Sequence, residues 1–174
     1  KQAFILDEIG NAPVLIAPRD IKIQGSGMVR EGLETLQAGW IPDPIASETL
    51  PIIQLLELQN QHKSINMRLM NISTAAGLSI LLKNSTIPIS SVTWWHLVSD
   101  RTTLIPTDFG WRVIPSLGGN EDRQALIQGV INGDLAISAH AVPLDEEEIK
   151  RPTIHQKPGI SGHHLILPAL WQEL

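Results

Sequence analysis

The stretch from Asn120 to Asp145, NEDRQALIQGVINGDLAISAHAVPLD, constrains the fold most, because it spells a helix, an abrupt stop and a strand in immediate succession. Asn120 is the predicted N-cap, Glu121 and Asp122 place negative charge in the first turn, and Ala125, Leu126, Val130 and Ile131 recur at helical spacing. Gly133 supplies the stop. Leu135 to Ser138 is then too short for a second helix and apolar enough for a strand covered on both faces, as in parallel α/β sheets. In such sheets chemistry collects just beyond the carboxyl ends of the strands, here at Ala139, His140 and Pro143.

The same alternation runs through the rest of the chain. Gln2 to Ile9 reads as the end of a helix, Gly10 to Pro13 as a turn and Val14 to Ala17 as a buried strand. Pro18 to Pro44 is a long connection of the kind found at the active face of a barrel. Asp43 and Ser47 are candidate caps for a helix with Leu50, Ile53, Leu55, Leu56 and Leu58 on one stripe, and Pro51 is expected near its start, where a missing amide costs least. A second strand spans Met67 to Ile72, with Ser73 capping the helix that follows as far as Asn84. A third spans Ile87 to Thr93, and a last helix surrounds Pro168 to Trp171. Four strands alternating with helices imply a parallel sheet with right-handed crossovers.

With 174 residues, 43% of them hydrophobic, the chain holds enough apolar material for one ordinary core. A net charge of -5 without any Lys/Arg block argues against a nucleic-acid or anionic-membrane partner. No apolar run approaches the roughly 18 residues of a membrane span, so a cytoplasmic location is the expectation. The absence of cysteine removes thiolate metal sites and disulfides, leaving only His and carboxylates as zinc ligands. Lys1 is no initiator, and the chain is expected to be a piece of a longer protein, residues 1–174 forming a single domain.

Trp111 to Leu144 resembles the segment of type I dihydroorotases that reads K-V-N-P-P-L-R-x-x-x-D-R-x-A-L-x-x-G-L-x-D-G-x-I-D-x-I-A-S-D-H-A-P-H. Further pieces follow in register. Gly27 to Gly32 with Ser47-Glu48 resembles G-M-x-x-G and A-E, Ile72 to Ala75 resembles H-V-S-T-A, Val92 to Leu97 resembles V-T-P-H-H-L, and Pro158 to Gly162 with Leu167-Pro168 resembles F-G-I-x-G-x-E-x-x-L-P. The resemblance runs from about Ala12 to Trp171 and implies the C-terminal half of a TIM (β/α)8 barrel of the amidohydrolase superfamily. A free half-barrel would leave two sheet edges and its inner face bare, so the missing N-terminal half-barrel, or another chain, is expected to cover them.

Dihydroorotases interconvert carbamoyl aspartate and dihydroorotate with zinc-activated water, which requires imidazoles and carboxylates converging on the ion. By the resemblance, the histidine of the family's H-x-E-D falls on Ala17, the histidine before V-S-T on Asn71 and the aspartate of D-H-A-P-H on Ala139. Only Asp20 of H-x-E-D is kept. The asparagine and arginine of N-P-P-L-R become Ile114 and Gly118, while His140 and His96 match family histidines and stand as candidate substrate-binding residues. No zinc or other cofactor is therefore expected here. The expectation is a dihydroorotase-like pseudoenzyme with a structural, regulatory or binding role, associated by analogy with a pyrimidine-pathway enzyme. Two alternatives stand beside it: an active dihydroorotase or related cyclic-amide hydrolase of pyrimidine biosynthesis, with a rearranged zinc site using His140, His155 or His163 together with groups from the absent half, or a small-ligand binding module.

Elsewhere, His155, His163 and His164 read as a solvated loop, and Asp145 to Glu148 as the acidic start of a helix rather than a calcium loop. Trp94-Trp95 is expected to fill the mouth of the old pocket as core packing, with a partner anchor as the alternative.

Overall fold

The computed structural model describes residues 12–105, 110–140, 142–160 and 162–174. The proposed helix at Gln2 to Ile9 lies outside them. In chain order the strands are β1 (Val14–Ile16), β2 (Val29–Arg30), β3 (Pro42–Asp43), β4 (Met67–Leu69), β5 (Ile89–Thr93) and β6 (Leu135–Ser138). The helices are α1 (Ile21–Gln24), α2 (Leu33–Gln37), α3 (Ala46–Gln61), α4 (Ala75–Leu82), α5 (Trp95–Val98), α6 (Asn120–Ile131), α7 (Glu146–Ile149) and α8 (Ile166–Glu173). Strands β1, β4, β5 and β6 form one wholly parallel sheet in that order. It is half of a (β/α)8 barrel, as expected.

Register divides the sheet into two unlike faces. Side-chain direction alternates along a strand, and paired residues of neighbouring strands share a face. Val14 and Ile16 therefore stand with Met67 and Leu69, then Ser90 and Val92, then Leu135 and Ile137. This face packs on Ile52, Leu55 and Leu56 of α3, Leu78 and Leu81 of α4, and Leu126 and Ile127 of α6. Removing a side chain such as Leu69 or Leu81 from water is worth about 1.5–3 kcal/mol. The opposite face carries Leu15, Arg68, Ile89 and Ala136, with Leu15 58% and Ile89 61% exposed. β6 was expected to be covered on both faces; it is covered on one, because only the helices' side has anything packed on it among the described residues.

Several local expectations change for identifiable reasons. Pro18 to Pro44 is not a bare loop, since it folds into α1, α2 and the parallel pair β2 and β3; Met28, just before β2, and Val29 pack against Trp111. Pro51 is the sixth residue of α3 rather than in its first turn. The Ser47 carbonyl it leaves without an intrahelical donor accepts instead from the amide of Asp20 at 2.8 Å. Neither Asp43 nor Ser47 caps α3, whose N-cap is Ile45 with no side-chain bond. The helix buries Ile52, Leu55 and Leu56, while Leu50 and Ile53 face outward.

Cap positions elsewhere shift by one residue. Thr74 rather than Ser73 caps α4, accepting from the amide of Gly77 at 2.9 Å. Gly119 rather than Asn120 is the N-cap of α6, and Asp122 closes that turn by accepting from the amide of Gly119 at 2.9 Å. The other oxygen of Asp122 accepts from the amide of Ala75 at 2.8 Å, so one carboxylate fastens the starts of α4 and α6 together. Gly133 follows α6 with φ +82°, a left-handed stop as expected. Asp145 caps α7 by accepting from the amide of Glu148 at 2.7 Å, which makes the acidic run a helix start. Among the described residues no helix is long and apolar enough to cross a membrane.

Candidate functional site

The carboxyl ends of β4, β5 and β6 open onto a cavity of about 350 Å³. Its polar lining is Asn71, Thr93, His96 and His140, and its walls include Trp95, Val113, Ile114, Val142 and Ile160. The four polar residues come from three successive strand ends, a placement that follows from the parallel sheet.

Asn71 sits just past β4 with φ +61°, a left-handed conformation that asparagine tolerates better than most residues. Its side-chain amide lies 3.1 Å from the Ser138 hydroxyl of β6, whose single proton also faces the Val92 carbonyl at 3.0 Å, and its backbone amide donates to Ser91 Oγ at 3.3 Å. Asn71 therefore ties three strands at the position where the resemblance places a zinc-binding imidazole. Ala17, just past β1, and Ala139, just past β6, are both exposed and carry only methyl groups.

His96 is 3% exposed, and both of its ring nitrogens are engaged. Nε2 lies 3.1 Å from the carbonyl of Pro115, which can only accept, so Nε2 carries the proton. Nδ1 then accepts from the hydroxyl of Thr93. Burial, and secondarily the nearby positive Arg30, push the imidazole pKa down from 6.5 to about 4, so the ring is neutral. His96 is a structural strut beneath the cavity, with no free nitrogen for a ligand. His140 is different: its ring is exposed at the rim, and its carbonyl accepts from the indole of Trp94 at 3.3 Å. Trp94 is buried as core packing, as expected, whereas Trp95 is only partly buried and faces the cavity, its indole nitrogen donating to Gly110 O at 2.8 Å.

His155, His163 and His164 are exposed, as a solvated loop would have them. His163 nevertheless reaches the end of β6, with Nε2 3.3 Å from the carbonyl of Ala139. Asp20 has become the N-cap of α1, accepting from the amides of Lys22 at 2.8 Å and Ile23 at 3.2 Å.

A metal centre of the kind the resemblance implies does not fit these residues. Two of the three positions have no donor atom, and the third offers only an amide, a poor zinc ligand that is engaged with Ser138. Among the described residues no group of three or more His, Asp or Glu is placed to hold an ion.

Beside the cavity lies a buried ionic cluster that sequence reading treated only as scaffold. Arg30 at the end of β2 pairs with Glu48 of α3 at 2.8 Å and with Asp43 of β3 at 3.3 Å, each side chain 2% exposed. Its Nη atoms also donate to Ser47 Oγ at 2.7 Å, Ser73 Oγ at 3.0 Å and the Pro44 carbonyl at 3.1 Å. Glu48 accepts from the amides of Ser73 and Thr74 and from both of their hydroxyls. The cluster anchors the turn that leads from Asn71 into α4. The signal for it was the set of small hydroxyl residues at Ser47, Ser73 and Thr74 flanking Arg30 and Glu48, which recur in none of the apolar stripes.

No family model matches the chain. It is 34% identical to a probable dihydroorotase-like protein of Synechocystis sp., over all of this chain and 42% of that protein. It is 26% identical to a dihydroorotase of Thermus aquaticus, over 93% of this chain and 40% of that protein. Among solved structures, a D-hydantoinase (dihydropyrimidinase) from Thermus sp. superposes with a TM-score of 0.77 at 13% identity, over 98% of this chain and 40% of the other. The chain thus spans about two fifths of the length of the relatives it matches.

Proposed function

The chain is a dihydroorotase-like amidohydrolase homologue over the region it spans, and from that premise we propose that it is a pseudoenzyme, with a structural, regulatory or binding role in place of hydrolysis. The observation that carries this reading is the state of the three strand ends: methyl groups at Ala17 and Ala139, and an amide at Asn71 that braces β6 through Ser138. Activating water by the zinc-dependent route that the likeness implies needs ligands for the ion, and these positions offer no imidazole or carboxylate.

In this reading the bare face with Leu15 and Ile89 is covered by a complementary half-barrel. The assembled protein is cytoplasmic and associates with an enzyme of pyrimidine synthesis, a step that rests on the likeness alone. The second reading, an active cyclic-amide hydrolase with a rearranged metal site, is favoured by one contact, the ring of His163 beside Ala139.

Zinc analysis of the full-length protein together with dihydroorotate and carbamoyl aspartate turnover separates the two readings. Absence of turnover with no bound zinc supports the pseudoenzyme; stoichiometric zinc with turnover overturns it.

A further inference from the structure

We propose that the half-barrel covering the bare sheet face presents an inward-pointing Asp or Glu that pairs with Arg68, so that the two halves fit by charge as well as by apolar contact. The inference rests on the proposed covering of that face and deepens it by naming the chemistry of the covering surface.

Arg68 stands in the middle of the face. Register places Leu15 of β1 on one side of it and Ile89 of β5 on the other, in one row across three adjacent strands. Neighbouring strands lie about 4.8 Å apart, so the exposed Arg68 side chain is flanked by two aliphatic ones, 58% and 61% exposed. Neither neighbour in the row is acidic. Asp134, just before β6, lies at the same end of the sheet, but two strand spacings, roughly 10 Å, separate β6 from β4. Among the described residues Arg68 joins no ion pair, whereas Arg30, Arg101 and Arg123 each meet a carboxylate.

In water an arginine so placed costs nothing. Beneath a second layer it loses that water, and a guanidinium with no counter-charge between two aliphatic side chains is strongly unfavourable. A wholly apolar surface would suit Leu15 and Ile89 but strand Arg68, and a basic one would repel it. A carboxylate reaching across the barrel axis meets the requirement, and the planar fork of the guanidinium can bond both of its oxygens, which also fixes how the halves register. The matched relatives extend beyond the 42% and 40% of their lengths that this chain spans, which supplies the material for such a layer.

Thermal unfolding of the full-length protein tests the pair. Arg68→Met leaves the facing carboxylate buried and alone, and should lower Tm at pH 7 by on the order of 10 °C. Arg68→Lys keeps the charge and should lose less than half of that, while Arg68→Glu sets two carboxylates against each other and should lose more than Arg68→Met. Burial raises the pKa of a lone carboxylate, so its penalty holds above that pKa and fades as pH falls through it. The deficit of Arg68→Met against the unaltered protein should therefore shrink from pH 7 to pH 5. A deficit unchanged by pH would mean that only packing of the arginine stem is lost, and overturns the proposal. Ile89→Cys reports the covering separately, through thiol labelling of the native full-length protein read by mass spectrometry of the labelled peptide. Slow labelling at position 89, with Arg68→Met as stable as the unaltered protein, defeats this inference and leaves the covering in place. Rapid labelling there defeats the covering and this inference with it.

Discussion

Arg30 and Glu48, eighteen positions apart in sequence, meet at 2.8 Å in the interior, each side chain 2% exposed. The pair joins the small β2–β3 sheet to the long helix α3, and through Ser73 to the turn after β4. Desolvation makes such a pair weak evidence for stability; without Glu48, Arg30 keeps Asp43 at 3.3 Å, but its own Nη2 and the buried amides of Ser73 and Thr74 lose that acceptor. Glu48→Ala is expected to lower the unfolding free energy by about 3–5 kcal/mol, read by urea denaturation of the full-length protein. A loss below about 1 kcal/mol would mean that Arg30 finds water once its partner is gone.

Gly77 gives a case where helix propensity predicts the wrong sign. Replacing a helical glycine by alanine ordinarily stabilises by about 1 kcal/mol. Here an added Cβ would run into Glu48 Oε1, which is pinned by Ser73 and Thr74, and would stand 3.0 Å from Ile52 Cδ1. Gly77→Ala should therefore destabilise by about 1–3 kcal/mol, seen as a lower melting temperature.

The neutral state of His96 makes stability depend on pH. Its folded pKa, about 4, lies below the unfolded value of 6.5, so between these values the unfolded chain binds more protons than the folded one. Stability from this group is complete above pH 6.5 and declines as pH falls toward 4, by on the order of 3 kcal/mol in all. His96→Gln should flatten this part of the profile when unfolding is followed from pH 7 to pH 4; an unchanged slope would mean that other groups produce it.

Ile89 tests whether the bare sheet face is covered in the assembled protein. In this structure its side chain is 61% exposed, so an aspartate there should cost no more than about 0.5 kcal/mol. If a second half-barrel packs on that face, Ile89→Asp in the full-length protein buries an unpaired charge and should destabilise by several kcal/mol or drive neutralisation of the carboxyl. Thermal unfolding of the full-length variant reads the difference directly.

How much of this was legible in the sequence depends on the range of the interaction concerned. The β6 strand and the body of α6 follow from periodicity and a glycine stop, and both stand where expected. The caps moved by one residue because capping is decided by what a side chain reaches: the hydroxyls of Ser73 and Thr74 both donate to Glu48, and that of Thr74 also lies where the amide of Gly77 can donate to it. Pro51 inside α3 was unreadable because its tolerance comes from Asp20, distant in sequence, supplying the lost bond. At the candidate site, the missing donors at Ala17, Asn71 and Ala139 could be read from motif positions. The sealed state of His96 could not, since it depends on the Pro115 carbonyl arriving from a separate loop.

Asp122 serves two helices at once, holding Ala75 of α4 with one oxygen and Gly119 of α6 with the other. The loop that precedes α6 and the turn that follows β4 thus share one anchoring side chain. Losing that one carboxylate would therefore untie two chain segments together, the turn into α4 and the turn into α6.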